Sequence, residues 1–85
     1  MKQVIKYRTD VAQYSTNTKI MSNCNSITFI NVGLSSVLIN NISLIVGASL
    51  ALSGNEFEED VTEYRIDFGT ATNGIIQVIK KINLY

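Results

Sequence analysis

VLINNISL, residues 37 to 44, is the stretch that decides the fold of this chain. Its two central residues, Asn40 and Asn41, tolerate the left-handed backbone conformation that a two-residue type I′ turn requires. With the turn at this point, Ile39 lies opposite Ile42, and the apolar side chains of both strands share one face. The stretch therefore predicts a β-hairpin, and Asn-Asn stands where the more favourable Asn-Gly is common.

Further strand patterns lie on both sides of this hairpin. Residues 61 to 68, VTEYRIDF, alternate between apolar and polar side chains, which is typical of a strand with one buried face. The predicted buried face of that strand carries Thr62, Tyr64, Ile66 and Phe68. Residues 26 to 32, 48 to 52 and 75 to 84 show similar alternation, and in the last of them we expect a β-bulge near Lys80.

Composition supports strands throughout. The 85 residues include 26 Val, Ile and Thr but only four Ala, and no Pro. β-Branched side chains favour a pleated backbone, and a chain of this length supports one core. We therefore predict an all-β protein: a small antiparallel β-sandwich, jelly-roll-like, of about seven strands with an N-terminal arm. Residues 1 to 25 would form this arm, and residues 26 to 85 the sandwich.

The arm itself leaves two alternatives open. Residues 3 to 8 have the character of a short strand, whereas Ser, Thr and Asn dominate residues 9 to 25, which is typical of a linker. Such a linker would allow the first strand to pair with the sheet of a neighbouring subunit. The strand would equally well fold back onto its own sheet, and the sequence favours neither arrangement.

The most unusual feature is the absence of any charged residue between Ile20 and Asn55. Asn and Ser interrupt its most apolar part, so no stretch reaches the roughly 20 apolar residues of a membrane helix, and we expect no membrane partner. Burial between copies of the chain would cover such an uncharged surface, although Ser and Asn side chains would also solvate it. We predict a homo-oligomer, with six candidate interface residues: Val4, Ile5, Tyr7, Leu38, Ile45 and Val46.

The residue types do not favour catalysis. The chain has no His and a single cysteine, Cys24, so the usual proton shuttle and any intramolecular disulfide are lacking. The acidic run at residues 56 to 60 lacks the spacing of a known calcium loop. Seven basic and seven acidic residues give a net charge of zero, which argues against a nucleic-acid partner. We expect a protein that is not an enzyme and has neither cofactor nor metal.

Several segments together resemble a known class of protein. They are Ile30-Asn31-Val32-Gly33, VLINNISL, Gly47, Ser53-Gly54-Asn55-Glu56 and VTEYRIDF. This succession resembles small β-rich structural and accessory virion proteins of tailed bacteriophages, particularly phages of Bacteroidetes-type hosts, over about residues 26 to 82. In that pattern the hairpin commonly reads Ile-Asn-Gly and the next turn Pro-Gly, where this chain has Asn41 and Val46.

The resemblance implies a non-enzymatic component of the capsid or tail, present in several copies and docked on other virion proteins. It also implies that no cofactor is bound. No long apolar segment follows the basic residues at the start of the sequence, so we expect no secretory signal. The expected location is the virion, after synthesis in the cytoplasm of the host bacterium.

A second function remains open. A monomeric β-sandwich that binds a glycan or another protein would have the same composition and strand pattern. A sugar-binding patch would use aromatic side chains, for which Tyr14, Tyr64 and Tyr85 are the candidates.

Overall fold

The computed structural model describes residues 6 to 55 and 58 to 84. These residues form strands, turns and loops. The strands are β1 (Lys6–Tyr14), β2 (Thr18–Met21), β3 (Ser26–Asn31), β4 (Val37–Ile39), β5 (Ile42–Leu44), β6 (Ser49–Ser53), β7 (Glu63–Asp67) and β8 (Ile76–Leu84). The described part of the chain therefore has eight strands, where the sequence predicts about seven. None of its residues lies in a helix long and apolar enough to cross a membrane.

Two antiparallel sheets of four strands each make up the fold. The first sheet has the strand order β1-β8-β3-β6, and the second has the order β2-β7-β4-β5. Four of the strand pairs are nested in sequence order, from the outermost pair to the central hairpin: β1 with β8, β2 with β7, β3 with β6 and β4 with β5. The prediction of an all-β, sandwich-like fold is confirmed.

The core lies between the two sheets. The rings of Phe29 in β3 and Tyr64 in β7 connect them, with centroids 5.1 Å apart and an interplanar angle of 57°. Tyr64, Ile66 and Phe68 are buried as the alternation predicts, whereas Thr62 is exposed just before β7 begins. Burying each large apolar side chain contributes about 1.5–3 kcal/mol, so this shared layer holds the sheets together.

The central hairpin has the predicted register. Val37 pairs with Leu44 and Ile39 pairs with Ile42. Asn40 and Asn41 have φ angles of 48° and 67°, the left-handed values of a type I′ turn. The Asn40 side chain also accepts a hydrogen bond from the backbone N–H of Arg65, at 2.7 Å, so this residue ties the turn to β7.

The turn supplies a first testable prediction. Asn41→Gly should raise the free energy of unfolding by about 0.5–1 kcal/mol, because Gly adopts positive φ without the steric cost that a side chain carries. Asn41→Ala should lower it, because Ala has neither the freedom of Gly nor the local hydrogen bonding of Asn. Urea unfolding of the three proteins measures both changes. A glycine variant that is less stable than the alanine variant would contradict the turn assignment.

Strands replace most of the predicted linker over residues 9 to 25. β1 continues to Tyr14 and pairs with β8 of the same chain, and β2 pairs with β7. The predicted strand over residues 3 to 8 overlaps the start of β1, but its continuation to Tyr14 was not predicted, because the residues from Lys6 to Gln13 are exposed whichever face they lie on and no apolar alternation marks them. Val4 and Ile5 lie outside the described residues. The division into an arm and a sandwich at residue 25 stays a prediction.

The bulge predicted near Lys80 is wrong. The register of β8 with β1 and with β3 runs without interruption through Lys80 and Lys81. The Lys80 side chain lies on the same face as Val78, and its ammonium group reaches the backbone oxygen of Met21 at 2.8 Å. A long Lys stem packs along apolar surface while its charged end finds a polar partner, so no bulge is needed.

Candidate interaction surfaces

Four loops meet at one end of the two sheets. The antiparallel order of the strands places there residues 15–17, 32–36, 45–48 and 68–75, which together we call the loop end. None of these residues has a charged side chain. The charged residues that the structure describes lie in the strands or in the segment from Glu58 to Asp60, at the opposite end. The molecule therefore has one uncharged end, and these charged side chains lie in the strands and at the other end.

The loop end is also apolar on its surface. Leu34 is 76% exposed and Ile45 is 63% exposed, and Val46 beside it is half exposed. Val32 and Ile75 from the neighbouring loops are partly exposed as well. Single exposed aliphatic residues are common on proteins, but several from three loops at one uncharged end are typical of an interaction site.

A buried asparagine organises this end. The Asn31 side chain is 1% exposed, and its amide nitrogen donates hydrogen bonds to the backbone oxygens of Ser35 and Leu44, each at 2.9 Å. Its side-chain oxygen accepts a bond from the N–H of Gly33 at 3.1 Å. Its backbone oxygen accepts another from Gly47 at 3.0 Å. One residue thus fixes the loops that carry Leu34 and Ile45.

Further hydrogen bonds connect the remaining loops. The N–H groups of Val32 and Leu34 donate to the oxygens of Ile75 and Asn73, at 3.1 and 3.0 Å. The side-chain oxygen of Asn17 accepts a bond from the N–H of Phe68 at 2.7 Å, which joins the first loop to the last. All four loops are therefore connected to one another or to the strands beside them.

Close packing at Gly33 completes the arrangement. A Cβ atom at this position would overlap the backbone nitrogen of Ile75 and would come within 2.9 Å of the Asn73 oxygen. Only glycine allows the two loops to approach this closely. Because backbone contacts hold the loops, the exposed side chains of Leu34 and Ile45 are presented from a preformed surface, and a partner would lose little conformational entropy in binding it.

A second candidate surface is the edge strand β1. It is the outermost strand of its sheet and pairs only with β8 among the described strands. Its residues from Lys6 to Gln13 are exposed, and only Tyr14 is partly buried. Residues of β1 between Thr9 and Tyr14, together with Val78 and Lys80 of β8, line an open cleft of about 420 Å³. A long exposed edge presents unpaired backbone groups that another strand can join.

The acidic segment forms a hydrogen-bonded network. Ser22 donates its hydroxyl to the Asp60 carboxylate at 2.9 Å, and the Tyr64 phenol donates to the other carboxylate oxygen at 2.8 Å. The backbones of Cys24 and Asp60 exchange two hydrogen bonds. Within residues 6–55 and 58–84 no three His, Cys, Asp or Glu side chains are grouped to hold a metal ion, and Glu56 lies outside them. The contacts of Asp60 hold this segment against the sheets.

These contacts change the acidity of both partners. The Thr62 side chain lowers the pKa of Asp60 most, and the hydrogen bonds from Tyr64 and Ser22 lower it further against the opposing effect of burial. Ionised Asp60 therefore adds stability above about pH 4, which is lost as the pH falls below that value. Burial, followed by the hydrogen bond to Asp60, raises the pKa of Tyr64 to about 12.

The Tyr64 shift gives a second prediction. The folded-state pKa lies above the unfolded value of about 10, so the stabilising contribution of the neutral phenol is complete below pH 10 and is lost as the pH rises towards 12. We expect stability measured by urea unfolding to fall across this interval. Tyr64→Phe should remove most of that dependence, at a cost of about 1 kcal/mol at neutral pH. An unchanged alkaline slope in the variant would contradict the assignment.

The six predicted interface residues lie in separate places. Ile45 and Val46 are part of the loop end, whereas Tyr7 lies near the start of β1 at the opposite end, with its ring 5.0 Å from the ammonium group of Lys81. Leu38 lies in β4 on the outer face of the second sheet, opposite Ser43 and Asp67. Val4 and Ile5 lie outside the described residues. The structure thus brings together only two of the six.

Three further members of the loop end were not predicted from the sequence. Val32, Leu34 and Ile75 join Ile45 and Val46 there only because the strands fold into two sheets. A signal was nevertheless present, since Gly33 and Gly47 mark turns within the uncharged stretch and each lies next to an exposed aliphatic residue. The loop after β7 gave a second signal, because residues 68 to 75 contain no charged side chain.

The remaining candidate side chains that the structure describes are buried or partly buried. Tyr64 is buried against Phe29, so its ring face is not available to a sugar, while Tyr14 packs against the core and Tyr85 lies outside the described residues. Cys24 is buried, and burial raises the pKa of its thiol. The loop end and β1 are therefore the surfaces best placed to meet a partner. Comparison with protein-family models, curated proteins and solved structures finds no match to this chain.

Proposed function

We propose that this chain is a non-enzymatic structural or accessory protein of a bacteriophage virion, in the capsid or tail. In this function copies of the chain associate with one another, and the loop end docks on other virion proteins. The observation that carries the proposal is the loop end itself: a preformed, uncharged surface with Leu34 and Ile45 largely exposed. Such a surface gains most when it is covered by another uncharged protein surface.

The strand order supports a jelly roll as the specific form of the sandwich. The first strand pairs with the last, the second with the seventh, and so on to the central hairpin. This order results when one long antiparallel ribbon of paired strands wraps into two sheets. Jelly rolls of eight strands in two Greek keys occur in viral capsid proteins. A fold class alone does not define a function, so the loop end and not the fold carries the proposal.

The same architecture occurs in lectins, which keeps the monomeric binding module as the alternative. The alternative lacks a comparable surface. Its aromatic candidate Tyr64 is buried, and the tyrosines that the structure describes do not form a common exposed patch. Binding of a glycan by the isolated chain would favour it.

Particles purified from the bacteriophage that encodes the chain provide the test. Mass spectrometry of their proteins should find the chain at a constant number of copies per particle, and light scattering should find the isolated chain associated at high micromolar concentration. A chain that is monomeric in solution and missing from purified particles would contradict the proposal.

A further inference from the structure

The β1 strand carries a pattern that fits a second copy of itself. Its outer edge has no strand partner in the described part of the chain, and along it the charges change sign: Lys6 and Arg8 are followed by Asp10. Arg8 and Asp10 lie on the same face and form an ion pair 3.0 Å long, with both side chains about half exposed. An exposed pair of this kind contributes little within one chain and is free to exchange partners.

We propose that two copies of this protein join edge to edge through β1, antiparallel, with Thr9 on the two-fold axis. The inference rests on the self-association in the proposed function and names the surface that performs it. The two sheets that contain β1 would then form one continuous sheet of eight strands, β6-β3-β8-β1 followed by the same strands of the second copy in reverse order. The loop end of each copy remains uncovered for other proteins.

Charge selects the register. Residues directly opposite each other in an antiparallel pair have their side chains on the same face of the sheet. A two-fold axis perpendicular to the sheet must therefore place one residue of β1 opposite the same residue of the second copy. With the axis at Thr9, Arg8 of each copy lies opposite Asp10 of the other. An axis at Arg8 pairs Lys6 with Asp10 but places the two Arg8 side chains opposite each other at its centre, an axis at Asp10 opposes the two carboxylates, and an axis at Tyr7 opposes Lys6 with Arg8. An axis at Val11 or beyond pairs no opposite charges, so Thr9 is the best centre.

The outer face fits the same register. Tyr7 of one copy then lies opposite Val11 of the other, and both side chains are 58% exposed in the single chain. An aromatic residue opposite a β-branched residue is a favourable cross-strand pair, and so is Thr opposite Thr. The net charge of the chain is zero, so two copies approach without overall repulsion. Pairing two copies uncovers no buried side chain of β1, because the residues from Lys6 to Gln13 are already exposed in the single chain.

Disulfide trapping tests this register directly. Residues directly opposite each other in an antiparallel pair have Cβ atoms about 4.5–5.5 Å apart, close enough for a disulfide to form with small adjustments. Thr9→Cys, with oxidised glutathione as the oxidant, should therefore yield a covalent dimer. Val11→Cys is the matched control: it is exposed on the same face, but the two copies of residue 11 would be four residues apart in register. Wild type, in which the thiol of Cys24 is buried, gives the background level of covalent dimer.

The expected result is at least tenfold more covalent dimer from Thr9→Cys than from Val11→Cys or wild type. Arg8→Asp should weaken the non-covalent dimer in light scattering at least tenfold, because it opposes two carboxylates, while Arg65→Asp on the other sheet should leave it unchanged. Equal trapping at both cysteines, or a dimer indifferent to Arg8→Asp, would overturn the inference. A chain that is present in particles but monomeric in solution overturns the inference and the self-association while leaving the docking on other virion proteins intact, whereas a trapped dimer that is absent from particles overturns only the virion function.

Discussion

Asn31→Ala should lower the free energy of unfolding by at least about 3 kcal/mol. The substitution removes two donated hydrogen bonds and one accepted bond from a side chain that is 1% exposed. It leaves the Leu44 oxygen and the Gly33 N–H without these partners, and each buried group left unpaired costs about 1–3 kcal/mol. For a domain of this size the melting temperature should fall by at least about 12 °C. Thermal and urea unfolding measure both changes.

Asn31→Asp separates hydrogen bonding from packing. Asp has almost the same size and still accepts the bond from Gly33, but at neutral pH it has no donor for the oxygens of Ser35 and Leu44. We expect the Asp variant to be at least as unstable as the Ala variant, because a carboxylate would face two carbonyl oxygens in a buried site. An Asp variant as stable as wild type would show that the amide donors do not hold the loops together.

Under the proposed virion function, Ile45→Lys should abolish incorporation of the chain into particles while leaving it folded. Ile45 is 63% exposed, so a Lys side chain at this position extends into solvent in the free protein and costs little stability. In a docked chain the same side chain would be buried in an apolar contact, where an unpaired charge is expensive. We expect at least a hundredfold loss of affinity, which corresponds to about 2.7 kcal/mol, and particles that lack the variant.

Ser53→Lys is the matched control for this prediction. It adds the same charge at an exposed position of β6, far from the loop end. Particles assembled with this variant should contain as many copies of the chain as wild-type particles, counted by mass spectrometry. Equal incorporation of Ile45→Lys and Ser53→Lys would show that the loop end does not dock.

Much of the fold follows from local patterns in the sequence. The hairpin register was predictable because Asn40 and Asn41 accept positive φ and the apolar residues beside them must share a face. The buried face of β7 was predictable for the same reason of alternation. The continuation of β1 beyond Arg8 was not predictable, since its exposed residues carry no alternation and only pairing with β8 makes it a strand. The position of Lys80 also depended on a distant partner, the Met21 oxygen.

The candidate surfaces were predictable only in part. The uncharged stretch indicated where a surface without charge would lie, and it included Ile45 and Val46. The stretch could not show that Ile75, twenty residues beyond its end at Asn55, lies at the same end of the molecule, because that depends on β8 pairing with β3. The structural importance of Asn31 was also not predictable, since an Asn at the end of a strand pattern usually indicates a turn and not a buried side chain that holds loops by hydrogen bonds.

Side-chain oxidation by hydroxyl radicals, compared between the isolated chain and the chain in purified particles, tests the central claim most directly. The account predicts that Leu34 and Ile45 are oxidised readily in the isolated chain and at least about tenfold less in the particle, whereas Val61, exposed beside the acidic segment at the opposite end, changes little. Equal oxidation of Leu34 and Ile45 in both samples would show that the loop end stays in water and would contradict the account.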